Sequence, residues 1–473
     1  MMEIPCGMQE QFLEAKQLIE SSNDIKIYTH TDCDGICSGA ILSIILDRLN
    51  KDYEIEFVNL DEIEDLDLDH KLTIFSDLGS GQGVDKNAKD GQKILILDHP
   101  PPLRDINYKN DKAYTYLEIN PMFYGIDGSY YVCGGGLCYF LAKTFGFKDL
   151  SWIGVLSAIG DMQNNKTGHF EGLNEIIQED AINEGLLKVT KNDLNIYGRS
   201  TRPLYVALSY FSDVKLPTTN NQQEAKVVLE ELGVDEKHNR KTLSEVTEED
   251  KMEIKKFLSR MISKRVPPKY LKYVPKLIVG DAYTFLNEEE GSFLRDGSEF
   301  STAMNACGRN RKEAIGVDII KGDRLVALDA LEEVSKTHKY NLATSISKVA
   351  DNYHSEIIEL DNFQYFDCSD FDEDIASNII GTITGMVLGY CNWKKPILGF
   401  SKPKNNQIKI SLRCSKLLAY DGIHFGNMMR EIAKEVGGTG GGHAIACGAY
   451  IPNEKKSEFL DKFNRKLQGK IAN

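Results

Sequence analysis

One histidine and two aspartates alternate at the end of an apolar run near the N-terminus. His30, Asp32 and Asp34 follow the mostly apolar stretch Ile25–Tyr28, and a glycine comes directly after the last of them. Side chains at such alternate positions, where a strand passes into a loop, can converge on one small volume. One imidazole nitrogen together with carboxylate oxygens suits manganese or magnesium better than a structural zinc. The stretch therefore predicts a metal site at a strand-to-loop junction.

Further ligand-type residues follow predicted elements later in the chain. Asp77 and the pair Asp98–His99 each come after a short apolar run, and Asp161 follows a predicted helix. A lone aspartate after a strand is more often a turn or cap residue than a ligand. Together, however, these positions offer one or two imidazoles and at least four carboxylates. Two divalent ions held about 3.5–4 Å apart can activate a water and neutralise an attacked phosphate, so we expect phosphoester hydrolysis.

Apolar runs that alternate with helical patterns predict the elements that position these residues. The runs lie at Ile25–Tyr28, Leu72–Phe75, Ile94–Leu97 and Tyr114–Ile119. Strands that are apolar on both faces and separated by helix-length segments predict a mainly parallel sheet covered by helices. In such sheets ligands gather at the carboxyl ends of the strands, which is where the ligand-type residues fall.

The length of 473 residues allows several packed domains. We predict an α/β fold whose first lobe, with the mainly parallel sheet, covers residues 1–165. A helical, strongly charged insertion over 166–285 follows, and the first lobe ends over 286–325. A long helix over 326–352 then joins this lobe to a smaller C-terminal α/β domain over 353–473.

Composition and cysteine usage exclude several classes of protein. No window approaches 18 uninterrupted apolar residues and no export signal precedes the first helix, so we expect a soluble, cytoplasmic protein without a membrane partner. The ten cysteines include no Cys-x-x-Cys pair, which argues against a zinc ribbon and against a disulfide framework. A net charge of −15 disfavours indiscriminate binding to polyanions. Any contact with nucleic acid must therefore be local.

The segment Lys251–Lys276 is a local candidate for such a contact. Its basic residues are accompanied by a single acid, Glu253, and Phe257, Tyr270 and Tyr273 are interleaved with them. Basic residues with aromatic neighbours can hold a phosphate backbone and stack bases. The alternative is a solvated helix face, and the sequence leaves both interpretations open.

The order of these motifs resembles the DHH phosphoesterase superfamily. His-x-Asp-x-Asp-Gly comes first, then a strand-terminal Asp, then Asp-His, then Gly-Asp and, far downstream, Gly-Gly-Gly-His. The length, the insertion and the segment Asn305-Ala306-Cys307-Gly308-Arg309 are most similar to archaeal RecJ-like single-strand exonucleases of the GINS-associated nuclease type. The resemblance implies that the first lobe is a DHH catalytic domain and that the last domain is a substrate-binding, DHH-associated domain.

The resemblance also implies a role for each ligand-type residue. The expected ligands of two divalent cations, with manganese preferred and magnesium possible, are His30, Asp32, Asp34, Asp77, His99 and Asp161. Asp77 would bridge the two ions. His99 and Asp98 would be the catalytic residues, with the carboxylate of Asp98 orienting the imidazole and tuning its basicity.

The chain departs from the name-giving Asp-His-His motif at Pro100, which replaces the second histidine. In the family that histidine contacts the scissile phosphate. Its loss leaves metal binding possible but weakens transition-state stabilisation, since removing one such donor costs roughly 3–4 kcal/mol. We therefore expect activity that is slow or altered in substrate preference.

A second set of residues is expected to bind substrate. By resemblance the set is Asn305, Arg309, Arg311, Arg413, Gly440, Gly441, Gly442 and His443. Glycines let the backbone approach a phosphate, and a planar guanidinium suits bidentate phosphate contact. The triple glycine Gly134–Gly136 at a helix start has two interpretations, a phosphate site or close packing against the sheet.

The resemblance implies a metal-dependent exonuclease that hydrolyses single-stranded DNA or RNA by a two-metal mechanism, in DNA replication or repair. Two alternatives stay open. One is a replication helicase scaffold that binds the GINS complex and has weak or no nuclease activity. The other is an oligoribonuclease or nucleotide phosphatase of the same superfamily.

Overall fold

The structure, a computed structural model, describes residues 2–60, 62–108, 113–234, 241–350, 357–368 and 373–471. Its strands are β1 (Ile25–Thr29), β2 (Tyr53–Phe57), β3 (Leu72–Ser76), β4 (Lys93–Leu97), β5 (Thr115–Ile119), β6 (Leu187–Leu194), β7 (Val279–Phe285), β8 (Ile358–Glu359), β9 (Gln364–Asp367), β10 (Ile397–Phe400), β11 (Gln407–Arg413), β12 (Thr439–Gly442) and β13 (Ala446–Pro452). Its α-helices are α1 (Cys6–Glu20), α2 (Cys33–Arg48), α3 (Gly134–Thr144), α4 (Ser151–Gly160), α5 (Leu173–Asn183), α6 (Leu204–Ser209), α7 (Gln222–Glu231), α8 (Glu248–Ser263), α9 (Val274–Ile278), α10 (Gly297–Arg309), α11 (Glu313–Ile320), α12 (Val326–Ala350), α13 (Glu373–Val387), α14 (Lys416–Tyr420), α15 (Phe425–Glu435) and α16 (Lys456–Leu467).

The first of two compact units comprises Met1–Asn192 and Asp281–Ser335. Its five-stranded sheet has the order β2-β1-β3-β4-β5, and every neighbouring pair is parallel. The central strand β3 is buried at all five positions, as expected of a strand covered on both faces. The four predicted strands are present, and β2 adds an edge strand in which glutamates alternate with larger side chains.

The second unit comprises Asp193–Gly280 and Lys336–Asn473. Its six-stranded sheet has the order β12-β13-β11-β10-β9-β8 and is antiparallel except for the β9–β10 pair. Helices of the insertion share a hydrophobic core with this sheet. For example, the ring of Tyr270 lies 6.2 Å from that of Trp393. The insertion and the C-terminal domain therefore fold as one unit.

The chain passes between the units three times. The boundary falls within the paired strands β6 and β7, and again within α12, the predicted long helix. The predicted boundary between residues 352 and 353 lies outside the described residues. In the described part of the chain, every helix is too short or too polar to cross a bilayer. The predicted α/β fold class, with a mainly parallel first sheet and a C-terminal α/β domain, is confirmed.

Candidate metal centre

The carboxyl ends of three neighbouring strands bring the ligand-type residues together. Ladder register aligns the last residues of β1, β3 and β4 in one row. The residues that follow in the chain, His30, Asp77 and Asp98, therefore leave the sheet side by side. The site lies at the edge where open parallel sheets place their ligands.

The first group of ligand atoms belongs to His30, Asp32 and Asp77, which lie within 4.8 Å of one another. Nδ1 of His30 is 3.0 Å from an Asp32 oxygen and 3.6 Å from an Asp77 oxygen. Burial opposes a charge on the imidazole, but the two carboxylates outweigh it and raise the pKa of His30 well above its usual value. The two carboxylates of this group therefore stabilise positive charge at this position.

The second group of ligand atoms belongs to Asp34, His99 and Asp161, and these atoms also lie within 4.8 Å of one another. Nε2 of His99 lies 3.7 Å from Asp34 and 3.9 Å from Asp161. It also lies 3.4 Å from Oδ1 of Asp77, whose Oδ2 faces His30 in the first group. Asp77 therefore stands between the two groups, as a bridging carboxylate must.

The chemistry of Asp77 fits a metal ligand. Its Oδ2 is buried and accepts no hydrogen bond from the described residues, which is costly unless a cation completes its environment. Its backbone is in the left-handed region, with φ of 58°, which is uncommon for a residue other than glycine although aspartate tolerates it. The residues present therefore fit a divalent cation.

Asp34 is held by the start of α3. Its two oxygens accept the amides of Gly134 and Gly135 at 2.9 and 2.7 Å, and the hydroxyl of Ser157 also donates to it. A Cβ on Gly134 would lie 2.6 Å from Cβ of Asp77, and one on Gly135 would lie 2.1 Å from Oγ of Ser157. Of the two interpretations of the triple glycine, close packing holds, and the helix N-terminus binds a carboxylate of the protein.

The pKa values of two carboxyl groups at this site are raised. Burial and the charges of Asp77 and Asp161 raise the pKa of Asp34 well above its usual value. Burial raises the pKa of Asp98 to about 6. Carboxylates crowded in this way are stable as anions only when cations neutralise them.

Asp98 contacts backbone rather than the imidazole beside it. Its oxygens accept the amides of Ser80 and His99, both at 2.9 Å. Nδ1 of His99 donates instead to the carbonyl of Gly128 at 2.8 Å. A carbonyl only accepts, so Nδ1 carries a hydrogen, and Nε2 faces the carboxylates, which raise the pKa of His99 well above its usual value against the effect of burial. The orientation of the ring is set by Gly128, and a catalytic role for Asp98 stays a prediction.

The predicted substrate residues of the first unit lie beside the loop that carries the first group. Oδ1 of Asn305 accepts the first backbone amide of α2 at 3.0 Å, and a Cβ on Gly308 would lie 1.7 Å from the carbonyl oxygen of Thr31. Asn305 thus supports the ligand loop. Arg309 ends α10 and Arg311 follows it with φ of 53°. Their contact with substrate stays a prediction.

The remaining predicted substrate residues lie in the second unit. Arg413 ends β11, and the predicted glycines form β12, whose last residue precedes His443. Among described residues, the guanidinium of Arg413 donates to the Leu412 carbonyl at 2.8 Å and to the Ser411 hydroxyl at 3.3 Å and forms no ion pair. Burial lowers the pKa of Arg413. A half-buried guanidinium of this kind suits an anion.

The glycines of β12 allow a close approach to helix α15. A Cβ on Gly440 would lie 2.9 Å from the carbonyl oxygen of Met429. Gly441 and Gly442 have φ of 157° and 117°, and the second value favours glycine. The turn then closes with a hydrogen bond from the amide of His443. A role of this turn in binding substrate stays a prediction.

The first half of the basic segment is structural. Lys251 is buried and pairs with Asp193 at 3.2 Å and with Glu248 at 2.7 Å. Phe257 and Tyr270 belong to the core of the second unit. The helix-face interpretation therefore fits α8 better than a base-stacking surface.

Sequence reasoning missed three residues that support the second group. Gly128 orients His99, Ser157 donates to Asp34, and Nε2 of Gln163 donates to Asp161 at 2.7 Å. The one available signal was the position of Gln163, two residues after a predicted ligand. Nothing in the pattern of the chain marks the other two.

Comparisons with known proteins identify two domains and one relative of this chain. Family profiles described as "DHH-CID domain" and "DHHA1 domain" match residues 196–274 and 361–469. "Uncharacterized protein MJ0831" of Methanocaldococcus jannaschii is 30% identical over 446 residues, which cover 93% of this chain and 92% of the relative.

Two solved structures share the fold. CDC45 from Entamoeba histolytica has a TM-score of 0.61 at 14% identity, over 98% of this chain and 99% of that chain. RecJ in complex with Mn²⁺ from Thermus thermophilus has a TM-score of 0.55 at 12% identity, over 99% of this chain and 55% of that chain. The chain therefore belongs to one family with the M. jannaschii protein and contains a DHH-CID domain and a DHHA1 domain, and it shares its fold with CDC45 and RecJ.

Proposed function

We propose that this protein is a metal-dependent exonuclease that hydrolyses the phosphodiester bonds of single-stranded DNA or RNA. The observation that carries the proposal is the position of Asp77, whose two oxygens face His30 and His99 in two separate ligand groups. That arrangement supports two divalent cations, manganese by preference and magnesium as a substitute. We place the activity in DNA replication or repair in the cytoplasm, and the domain boundaries predicted from the sequence are part of this proposal.

The protein's own residues would hold the ions and keep their ligands in place. His30, Asp32 and Asp77 would hold one ion, and Asp34, His99 and Asp161 the other, with Asp77 shared. Bound divalent cations supply an activated water and neutralise charge on the phosphate. The Gly128 carbonyl keeps Nε2 of His99 directed at its site, and the α3 amides keep both oxygens of Asp34 in position.

Substrate contacts are proposed for residues in both units. In the first unit these are Asn305, Arg309 and Arg311, at the end of a helix that packs on the ligand loop. In the second unit these are Arg413, His443 and the glycines of β12. The half-buried guanidinium of Arg413 supports this assignment, since it forms no ion pair within the described residues. Because Pro100 offers no side-chain donor, we expect slow turnover.

A replication scaffold that binds the GINS complex is the second candidate. Two observations favour it: Pro100 replaces a donor of the catalytic motif, and the fold matches CDC45 over nearly the whole of both chains. Against it, the six ligand-type residues are present and converge on two groups.

Nucleotide release from end-labelled single strands in Mn²⁺ separates the candidates. Asp77→Asn removes the charge of the shared carboxylate, and Asp52→Asn, an exposed aspartate in the same unit, is the matched control. We expect release by the wild type and by Asp52→Asn, and a loss of at least about 100-fold in Asp77→Asn. Equal turnover by all three proteins overturns the metal mechanism. Absence of release from DNA and RNA by the wild type, with Mn²⁺ bound, overturns the nuclease and leaves the scaffold.

A further inference from the structure

Gln163 connects two ligands of the second group. Its side chain is buried, and Nε2 donates to an Asp161 oxygen at 2.7 Å and to the carbonyl of Gly128 at 2.9 Å. The same carbonyl accepts Nδ1 of His99 at 2.8 Å. One side-chain amide thus holds Asp161 directly and reaches His99 through a single shared carbonyl.

The partners of Gln163 allow its amide only one orientation. Nδ2 of Asn174 donates to Oε1 of Gln163 at 2.8 Å, while the other two partners, a carboxylate and a carbonyl, can only accept. A flipped amide would point its oxygen at two acceptors and its NH₂ at a donor. Asn174 is itself fixed, because it hydrogen-bonds the carbonyls of Tyr130 and Tyr131 at 3.3 and 3.0 Å.

This support matters because the ligands repel one another. Asp34, Asp77 and Asp161 are buried or half-buried carboxylates around one imidazole. The hydrogen bond from Gln163 restrains Asp161, and the Gly128 carbonyl restrains His99. Both ligands are thereby kept in place against that repulsion. Ligands held in advance lose less conformational entropy when a cation binds.

We propose that Gln163 is a positioning residue for the divalent cation of the Asp34–His99–Asp161 site, acting on Asp161 directly and on His99 through the Gly128 carbonyl. The inference rests on the proposed function because it needs a cation at this site. It concerns the affinity of the site for that cation rather than hydrolysis. Partners of this kind change metal affinity about 10- to 100-fold when they are removed.

Calorimetric titration of the full chain with MnCl₂ tests the proposal. Gln163→Met keeps the length of the side chain and removes its hydrogen bonds. Gln178→Met is the matched control, because Gln178 is also buried and its Oε1 has no hydrogen-bond partner among the described residues. We expect Gln163→Met to bind one of two Mn²⁺ ions about 10- to 100-fold more weakly, and Gln178→Met to match the wild type. Electron paramagnetic resonance, which distinguishes free from bound Mn²⁺, measures the same affinities without relying on the heat of binding.

Asn174→Ala provides a second variant should Gln163→Met fail to fold, as judged by circular dichroism in EDTA. It keeps Gln163 and removes the donor that fixes its orientation, so we expect a smaller loss of affinity in the same direction. If the folded variants give Mn²⁺ titration curves that superimpose on that of the wild type, the proposal is overturned. Nucleotide release is measured in parallel, so that a wild type that binds Mn²⁺ but hydrolyses nothing overturns the nuclease without deciding the role of Gln163.

Discussion

Nδ1 of His99 donates a hydrogen bond to the carbonyl of Gly128, 29 residues further along the chain. The two residues are also packed backbone to backbone, since a Cβ on Gly128 would lie 2.0 Å from the carbonyl oxygen of His99. The position therefore requires glycine for its lack of a side chain. The consequence is that Nδ1 of His99 carries a hydrogen and Nε2 is directed at the carboxylates, where a bound cation would take the place of a proton.

His99→Asn tests that arrangement. The asparagine amide keeps a donor near the Nδ1 position for the Gly128 carbonyl but offers nothing at Nε2. We expect a folded protein that binds one Mn²⁺ fewer in calorimetric titration, and whose nucleotide release falls at least about 100-fold. His169→Asn, an exposed histidine of the same unit, is the control. Retention of both ions by His99→Asn would exclude Nε2 as a ligand.

Gly135→Ala should destabilise the protein although alanine is the better helix former. The new Cβ would lie 2.1 Å from Oγ of Ser157 and 3.2 Å from Oδ1 of Asp34. Overpacking of this kind typically costs about 1–3 kcal/mol. Gly81→Ala is the matched control, because its Cβ would meet only the carbonyl oxygen of Pro101, at 3.9 Å. Urea unfolding in EDTA measures both, and equal midpoints would contradict the packing described for α3.

The sequence predicted those strands of the first sheet whose own residues form an apolar run. Ile94–Leu97 is a continuous apolar run and Ile25–Tyr28 is interrupted only by Lys26, as suits buried parallel strands. In the edge strand Tyr53–Phe57, by contrast, glutamates alternate with apolar or aromatic residues, and this strand was not predicted. No strand was predicted at the glycines of β12, because a strand without side chains carries no periodic signal.

The ligands were predictable because His30, Asp77 and Asp161 directly follow a strand or a helix. Of the others, Asp32 and Asp34 lie at the start of α2, and His99 comes two residues after β4. The residues that support the ligands were not predictable. Gln163 reaches Asp161 and the Gly128 carbonyl only because three separate segments pack together. Likewise the triple glycine had two interpretations in sequence, and only the position of Asp34 against the start of α3 decides between them.

Glu118→Gln should make the protein more stable at alkaline pH. Burial raises the pKa of Glu118 to about 7, although hydrogen bonds from Ser80 and Tyr116 oppose the shift. The folded state therefore holds a proton that the unfolded chain releases near its usual pKa of about 4.3. Stability is highest below that value, falls as pH rises towards 7, and stays low above it.

The glutamine variant does not titrate, so its advantage should appear only above the unfolded pKa. We expect a gain of about 1–3 kcal/mol at pH 8 and little difference at pH 4. Urea unfolding in EDTA at both values measures this, with the exposed Glu10→Gln as control. An advantage that is the same at both pH values would point to packing rather than to ionisation of Glu118.

Pro100→His should increase hydrolysis by the proposed nuclease. Pro100 is exposed, and its contact with Asn120 is through its own backbone carbonyl, which accepts Nδ2 at 2.8 Å. A histidine keeps that carbonyl and adds a side-chain donor beside His99. If the donor reaches the scissile phosphate, kcat should rise about 10²- to 10³-fold, while Mn²⁺ affinity stays unchanged because no ligand is altered.

Pro101→His is the control for this variant, since it places the same side chain one residue further along the exposed loop. Release rates at saturating single-stranded substrate, compared in Mn²⁺ and in Mg²⁺, separate a change in kcat from one in KM. A gain in Pro100→His alone would show that the site lacks only this donor. Equal and measurable rates in both variants and the wild type would mean that another group already stabilises the phosphate. Absence of nucleotide release from all three proteins would instead favour the scaffold.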